Sequence, residues 1–335
     1  MIAQPQPRFQ PAPWQRALAQ AVSKPLELLG MLEIDPVKAG IKLAPDSIFR
    51  QRVPRGFIGR MRKGDPGDPL LRQVLPLAAE DELTPGYVAD PVSDLDAQTA
   101  PGVLHKYRGR ALLIATGACA IHCRYCFRRH FPYSDSHAGA DRWAQALDYL
   151  KRDPSVEEVI LSGGDPLSLT DARLGELAAQ LDGIFHLRRL RLHTRLPVVL
   201  PERVDDALIR WLGASRLKPV MVIHANHANE FDPAVEAALA RLHDAGVLLL
   251  NQSVLLKGVN DDADALCDLS ESLVANRVLP YYLHQLDPVQ GAAHFAVADA
   301  TAKALIAALR DRLPGYLVPR LVREIPGATA KLPIA

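Results

Sequence analysis

The chain has 335 residues, with 39 Lys and Arg against 38 Asp and Glu, and a formal net charge of +1 at pH 7. That balance argues against nucleic acid or an anionic membrane surface as a partner, and no run of eighteen apolar residues exists to form a membrane helix. Four cysteines in this length are not a disulfide framework, and the start, Met1–Arg8, lacks the apolar core of a secretory signal, so a reducing cytoplasm is the expected setting.

Residues 1–100 are proline-rich and read as an N-terminal helical region with a connecting arm. Trp14, Leu18, Val22, Leu26 and Leu29 recur at helical spacing and predict a helix over Pro13–Ile34. Gly64-Asp-Pro-Gly-Asp-Pro69 and Thr84-Pro-Gly-Tyr87 are turn clusters. From Ala111 the pattern alternates. Strand-like apolar runs fall at 111–116, 158–162, 190–194, 219–223, 247–250 and 280–284, and helical runs between them include 171–181, 233–245 and 263–274. A spacing of roughly thirty residues is that of a βα unit. Six such units predict an α/β fold: a parallel sheet with helices outside, closed or nearly closed into a (β/α) barrel over 101–335, with an open doubly wound sheet as the alternative. In a barrel the chemistry gathers at the C-terminal ends of the strands.

The segment after the first such strand is Cys119-Ala-Ile-His-Cys123-Arg-Tyr-Cys126. Three thiolates are one short of the four that close a four-iron, four-sulfur cluster, which leaves one iron open. The alternative is a zinc site completed by His122 or His130, because Cys267 stands alone and forms no second knuckle. The second strand ends in Ser162-Gly-Gly-Asp-Pro166, where two glycines permit close backbone approach. With this cysteine spacing the chain resembles the radical S-adenosylmethionine superfamily. The resemblance implies a partial (β/α) barrel, a [4Fe-4S] cluster on Cys119, Cys123 and Cys126, and S-adenosyl-L-methionine chelated to the open iron. It implies further that Gly163, Gly164 and Asp165 hold the methionine amine, with His227 and Gln252 near the cofactor's other polar groups.

Cys126-Phe-Arg-Arg-His130, Leu196-Pro-Val-Val-Leu-Pro201, the stretch 250–261 and Pro280-Tyr-Tyr-Leu-His-Gln-Leu-Asp287 sharpen this. Together they resemble the lysine 2,3-aminomutase family from about residue 100 to the C-terminus. That resemblance implies pyridoxal 5'-phosphate held by Lys331, with Lys106, Tyr107 and Arg110 around its phosphate and ring. It implies L-lysine as substrate, its carboxylate on Arg128 and its ε-ammonium between Asp287 and Glu324. Glu324 replaces an aspartate of the family, and Gly327-Ala-Thr-Ala replaces a run of glycines. Two acids facing one ammonium favour a cationic side chain. Short members of this kind resemble the enzyme of elongation factor P β-lysylation. That adds three expectations: a product of (R)-β-lysine, a link to elongation factor P and its lysyl ligase, and an electron donor of reductase, flavodoxin or ferredoxin type. The alternatives are an aminomutase for another amino acid such as glutamate, or a non-enzymatic zinc or iron–sulfur protein.

Overall fold

The computed structural model describes residues 11–44, 49–133 and 140–335; Met1–Arg8, the stretch without an apolar signal core, lies outside them. The expected N-terminal helix is two helices, α1 (Pro13–Ala19) and α2 (Pro25–Met31). Pro25 brings no N–H and starts a helix rather than continuing one. Between the two, Val22 turns its backbone to Val53, donating at 2.8 Å and accepting at 2.9 Å. The break also moves the apolar stripe. Trp14, Leu28 and Leu29 are buried, whereas Leu26 is 65% exposed. Two short helices follow, α3 (Arg55–Ile58) and α4 (Pro69–Arg72). The buried Asp68 carboxylate caps α4, accepting from the N–H groups of Leu70 and Leu71.

One ten-stranded sheet runs in chain order. It begins with β1 (Gln98–Ala100) and β2 (Val103–Tyr107), antiparallel to each other, and β2 is antiparallel to β3 (Arg110–Thr116). Six parallel pairings then join β3, β4 (Glu158–Gly163), β5 (Arg189–Thr194), β6 (Lys218–Ile223), β7 (Leu248–Leu255), β8 (Leu279–Gln285) and β9 (Arg320–Arg323). The antiparallel β10 (Leu332–Pro333) closes the series on β9. Since β1 and β10 do not pair with each other, the barrel is partial.

The six expected strands are all present as β3 to β8. The four others escaped the sequence reading because they are short and partly exposed, so no apolar run marks them. Helices α5 (Ala140–Arg152), α6 (Asp171–Asp182), α7 (Leu196–Val199), α8 (Asp206–Ala214), α9 (Pro233–Asp244), α10 (Ala263–Ala275) and α11 (Asp299–Arg312) fill the crossovers. On β5, Leu190 and Leu192 pack into the core while Arg191 and His193 line the interior. The main apolar cluster joins Trp14, Phe57 and Leu70 of the N-terminal arm to Leu161, Leu192 and Leu239 of the barrel. Among the described residues no helix is long and apolar enough to cross a membrane.

Candidate active site

The interior opens on a cavity of about 480 Å³. The three loop cysteines line it together with Gly163, Gly164, Asp165, Gln252, Lys106, Tyr107, Arg110, Arg128, Asp287, Glu324 and Lys331. Every expected site residue except His227 is thus brought to one space.

The cysteine loop leaves β3 and is held mainly by backbone hydrogen bonds. Gly164 N–H donates to Thr116 O at 2.7 Å and Asp165 N–H to Ala118 O at 2.8 Å. From the N-terminal arm, Arg52 O accepts from His122 N–H at 3.0 Å and Gln73 O from Arg124 N–H at 2.9 Å. The fully buried Arg124 shares the Glu80 carboxylate with Arg129. The glycine pair has a concrete structural duty here. A Cβ on Gly164 would stand 2.4 Å from Ala118 O, and one on Gly163, at φ +114°, would stand 2.6 Å from Thr116 O. The Asp165 carboxylate is spent on Thr194 Oγ1 and Arg195 N–H, both at 2.7 Å, and on Leu167 N–H at 3.1 Å. Burial pushes its pKa up to about 6 against those donors.

Burial raises the Cys119 thiol well above its usual range, and Cys126, Asp165 and Cys123 push it further. Burial and Cys123 likewise lift Cys126 to about 11. Cys119 and Cys126, so held toward the thiol form, need a strongly cationic partner to become thiolates, which is what an iron–sulfur cluster supplies. Arg195 already donates to Cys123 Sγ at 2.8 Å. Among the described residues no three His, Cys, Asp or Glu side chains are disposed to hold a single metal ion. A cube-shaped cluster spreads its ligating sulfurs more widely than one zinc does, so the donor set fits the cluster better.

Elsewhere in the cavity the chemistry is carried by charge. After β9 comes Glu324, and just before β10 comes Lys331; the antiparallel register Arg323↔Leu332 sets them face to face. Only Gly327 in the intervening turn adopts a positive φ, +77°, so this turn needs one glycine, not a run. Lys331 Nζ pairs with Glu324 Oε2. Glu324 Oε1 pairs with Lys106 Nζ at 2.9 Å, and Lys106 Nζ with Asp94 Oδ1 at 2.6 Å. Asp94 Oδ2 completes the series by accepting from Arg128 Nε at 2.6 Å. The chain Lys331–Glu324–Lys106–Asp94–Arg128 holds three cations and two anions. Burial would raise the Glu324 carboxyl, but Lys331 and Lys106 hold it down at about 2. Arg110 makes no ion pair among the described residues and lies over the Tyr107 ring at 4.6 Å. The Asp287 carboxylate has no hydrogen-bond partner among them either, and burial pushes it up to about 7, with Lys331 pulling down and Glu324 up.

His227 faces away. It caps the short 228–230 turn, its Nδ1 accepting from Asn229 N–H at 3.1 Å. His224, three residues earlier, lines the cavity instead, its Nε2 2.8 Å from the Gln252 amide nitrogen. Gln252 lies within β7, not beyond it, because that strand continues past the expected end. His193 and His284 share the wall with His224, and burial lowers all three pKa values, His224 to about 3, so all are neutral imidazoles. Sequence reasoning missed these three and Asp94. The histidines had a usable signal, since each lies within one residue of the C-terminal end of a barrel strand.

A model of the Radical SAM superfamily matches residues 113–269. The L-lysine 2,3-aminomutase of Escherichia coli (strain K12) is 48% identical over 322 residues, covering 96% of this chain and 94% of its own length. That of Haemophilus influenzae is 46% identical, covering 95% and 94%. That of Clostridium subterminale is 37% identical, covering 85% of this chain and 69% of its own length.

Proposed function

The chain belongs to the L-lysine 2,3-aminomutase family of the radical S-adenosylmethionine superfamily, and from that premise we propose that it is an isomerase converting L-lysine to β-lysine. The observation that carries the proposal is convergence: the three cysteines, Lys331, Arg128 and Asp287 border one cavity although they come from distant parts of the chain.

Cys119, Cys123 and Cys126 would hold the cluster, with the backbone of Gly163 and Gly164 beside it. S-adenosylmethionine bound there would supply, on reductive cleavage, a carbon radical able to remove a substrate hydrogen. Lys331 is the amine that would hold pyridoxal phosphate, with Arg110 and Tyr107 available to its phosphate and ring; the cofactor would supply a conjugated system able to delocalise an unpaired electron. Glu324 Oε2 touches Lys331 Nζ and orients that amine within the cavity. Arg128 gives Nε to Asp94 and one Nη1 hydrogen to Ser162 Oγ at 3.1 Å, which leaves Nη2 as a donor for the substrate carboxylate. Asp287 would meet the ε-ammonium, and a carboxylate there repels an acidic side chain such as that of glutamate.

The test is anaerobic incubation of the reconstituted protein with L-lysine, S-adenosylmethionine and reductant, followed by chiral amino acid analysis. β-Lysine, expected as the (R) form, supports the proposal; cleavage of S-adenosylmethionine without β-lysine overturns it. Metal analysis accompanies it, with about four irons per chain expected and one zinc opposing. We extend the proposal, on the motif resemblance to short family members, to a cytoplasmic enzyme reduced by a flavodoxin- or ferredoxin-type donor and supplying β-lysine for elongation factor P. Elongation factor P from cells lacking this chain should lose the mass of one lysyl group; an unchanged mass removes that extension.

A further inference from the structure

Lys106 is fully spent. An ammonium has three N–H donors, and this one meets Val92 O at 2.6 Å, Asp94 Oδ1 at 2.6 Å and Glu324 Oε1 at 2.9 Å. It could reach a cofactor phosphate only by giving up one of these acceptors, and two are carboxylates. Asp94 is equally committed. It is 2% exposed, comes from the arm before β1, and divides its two oxygens between Lys106 and Arg128. Its own N–H is fixed by Asp90 Oδ1 at 3.0 Å. By occupying Arg128 Nε it decides which edge of the guanidinium remains for a ligand.

We propose that Asp94 and Lys106 are positioning residues: together they link Arg128 to Glu324 and Lys331, so that the groups assigned to the substrate carboxylate and to the Schiff-base amine are set by one chain of ion pairs. Lys106 then serves as the central link of that chain and not as a phosphate ligand, and the phosphate falls to Arg110. The inference rests on the reading of Arg128 and Lys331 given above. It follows that a change at Asp94 is felt through Arg128. An asparagine there presents an amide N–H to one of two cations, and that cation loses its acceptor.

The experiment uses reconstituted holoenzyme and four variants: Asp94→Asn, Lys106→Met, the double variant and Arg128→Met. Two quantities are read: KM for lysine, and the equilibrium affinity for pyridoxal phosphate relative to pyridoxal, which lacks the phosphate. Asp94→Asn and Lys106→Met should each raise the lysine KM tenfold or more. The double variant should be little worse than either single one, because both break the same chain. Lys106→Met should keep the preference for pyridoxal phosphate over pyridoxal within about twofold. Collapse of that preference with an unchanged lysine KM would identify Lys106 as a phosphate ligand and overturn the proposal, as would strict additivity of the two changes. Should Asp94→Asn fail to fold, Lys106→Met decides alone, since it leaves the Asp94–Arg128 pair in place. Arg128→Met separates the two levels. If it leaves the lysine KM unchanged, the assignment of Arg128 fails; if it raises the KM while Asp94→Asn and Lys106→Met do not, only the positioning role fails.

Discussion

The cysteine loop and the β9–β10 hairpin border the same cavity but are made differently. The loop carries its three thiols within eight residues, and backbone hydrogen bonds from β4, the glycine pair and the N-terminal arm fix its path. The hairpin contributes two side chains, Glu324 and Lys331, whose placement depends on partners from residues 92–128. The first is a shaped backbone offering donors to a group that must arrive. The second is a chain of charges already paired with one another. A shaped loop tolerates a change of side chain away from its ligands; a chain of paired charges does not, because each deletion strands a neighbour.

The sharpest way to break this comparison is to delete each region's essential group. Cys119→Ala, Cys123→Ala or Cys126→Ala should remove iron, S-adenosylmethionine cleavage and turnover together. Lys331→Ala should abolish β-lysine formation yet leave iron content and reductive cleavage intact. Loss of iron in Lys331→Ala, measured by metal analysis, would show that the two regions are not separately built.

A smaller effect is expected of Glu324→Gln. A neutral amide replaces the carboxylate between Lys331 and Lys106, and unpairing buried charges costs about 3–5 kcal/mol. At about 1.4 kcal/mol per decade, lysine turnover should fall a hundredfold or more while the cluster persists. Retained turnover would mean that the hairpin's charges do not order the site.

Asp287 tests the hairpin side through pH. Its folded pKa stands at about 7, so the carboxylate able to meet an ammonium forms as pH rises through that value. Lysine kcat/KM should therefore fall about tenfold per unit below pH 7 and level off above it. Asp287→Asn should be slow and lack this limb, and norleucine, without the ammonium, should be a poor substrate of the unaltered enzyme. A profile with the same limb in Asp287→Asn places the titrating group elsewhere.

On the loop side, Gly164→Ala drives a methyl against Ala118 O. The strain should cost about 1–3 kcal/mol, read as a lower unfolding midpoint and reduced iron occupancy. Least of all, Cys267→Ala, inside the apolar cluster of α10 and β8, should cost about 1 kcal/mol of stability and leave iron content unchanged.

The sequence by itself determined the parallel strands β3 to β8, the loop that follows the first of them, and the chemistry of three thiols one short of a closed cluster. Those features are local: apolar runs, short spacings and glycine turns act within a few residues of where they are written. The resemblance of motifs added Lys331, Arg128 and Asp287, which no spacing would reveal. Tertiary structure decided the rest. It used the break between Ala19 and Pro25 to bond Val22 to Val53 instead of to its own turn. It brought His224 and not His227 to the cavity, since His224 directly follows β6 whereas His227 is taken up in capping the 228–230 turn. It also made Asp94 the partner of Arg128 and Lys106. An aspartate in an arm of turns looks like a solvated loop residue until folding removes its water, and at 2% exposure a carboxylate is stable only beside the cations the barrel supplies. Such pairings join residues far apart in the chain, and the energy that selects them exists only once the core has excluded solvent.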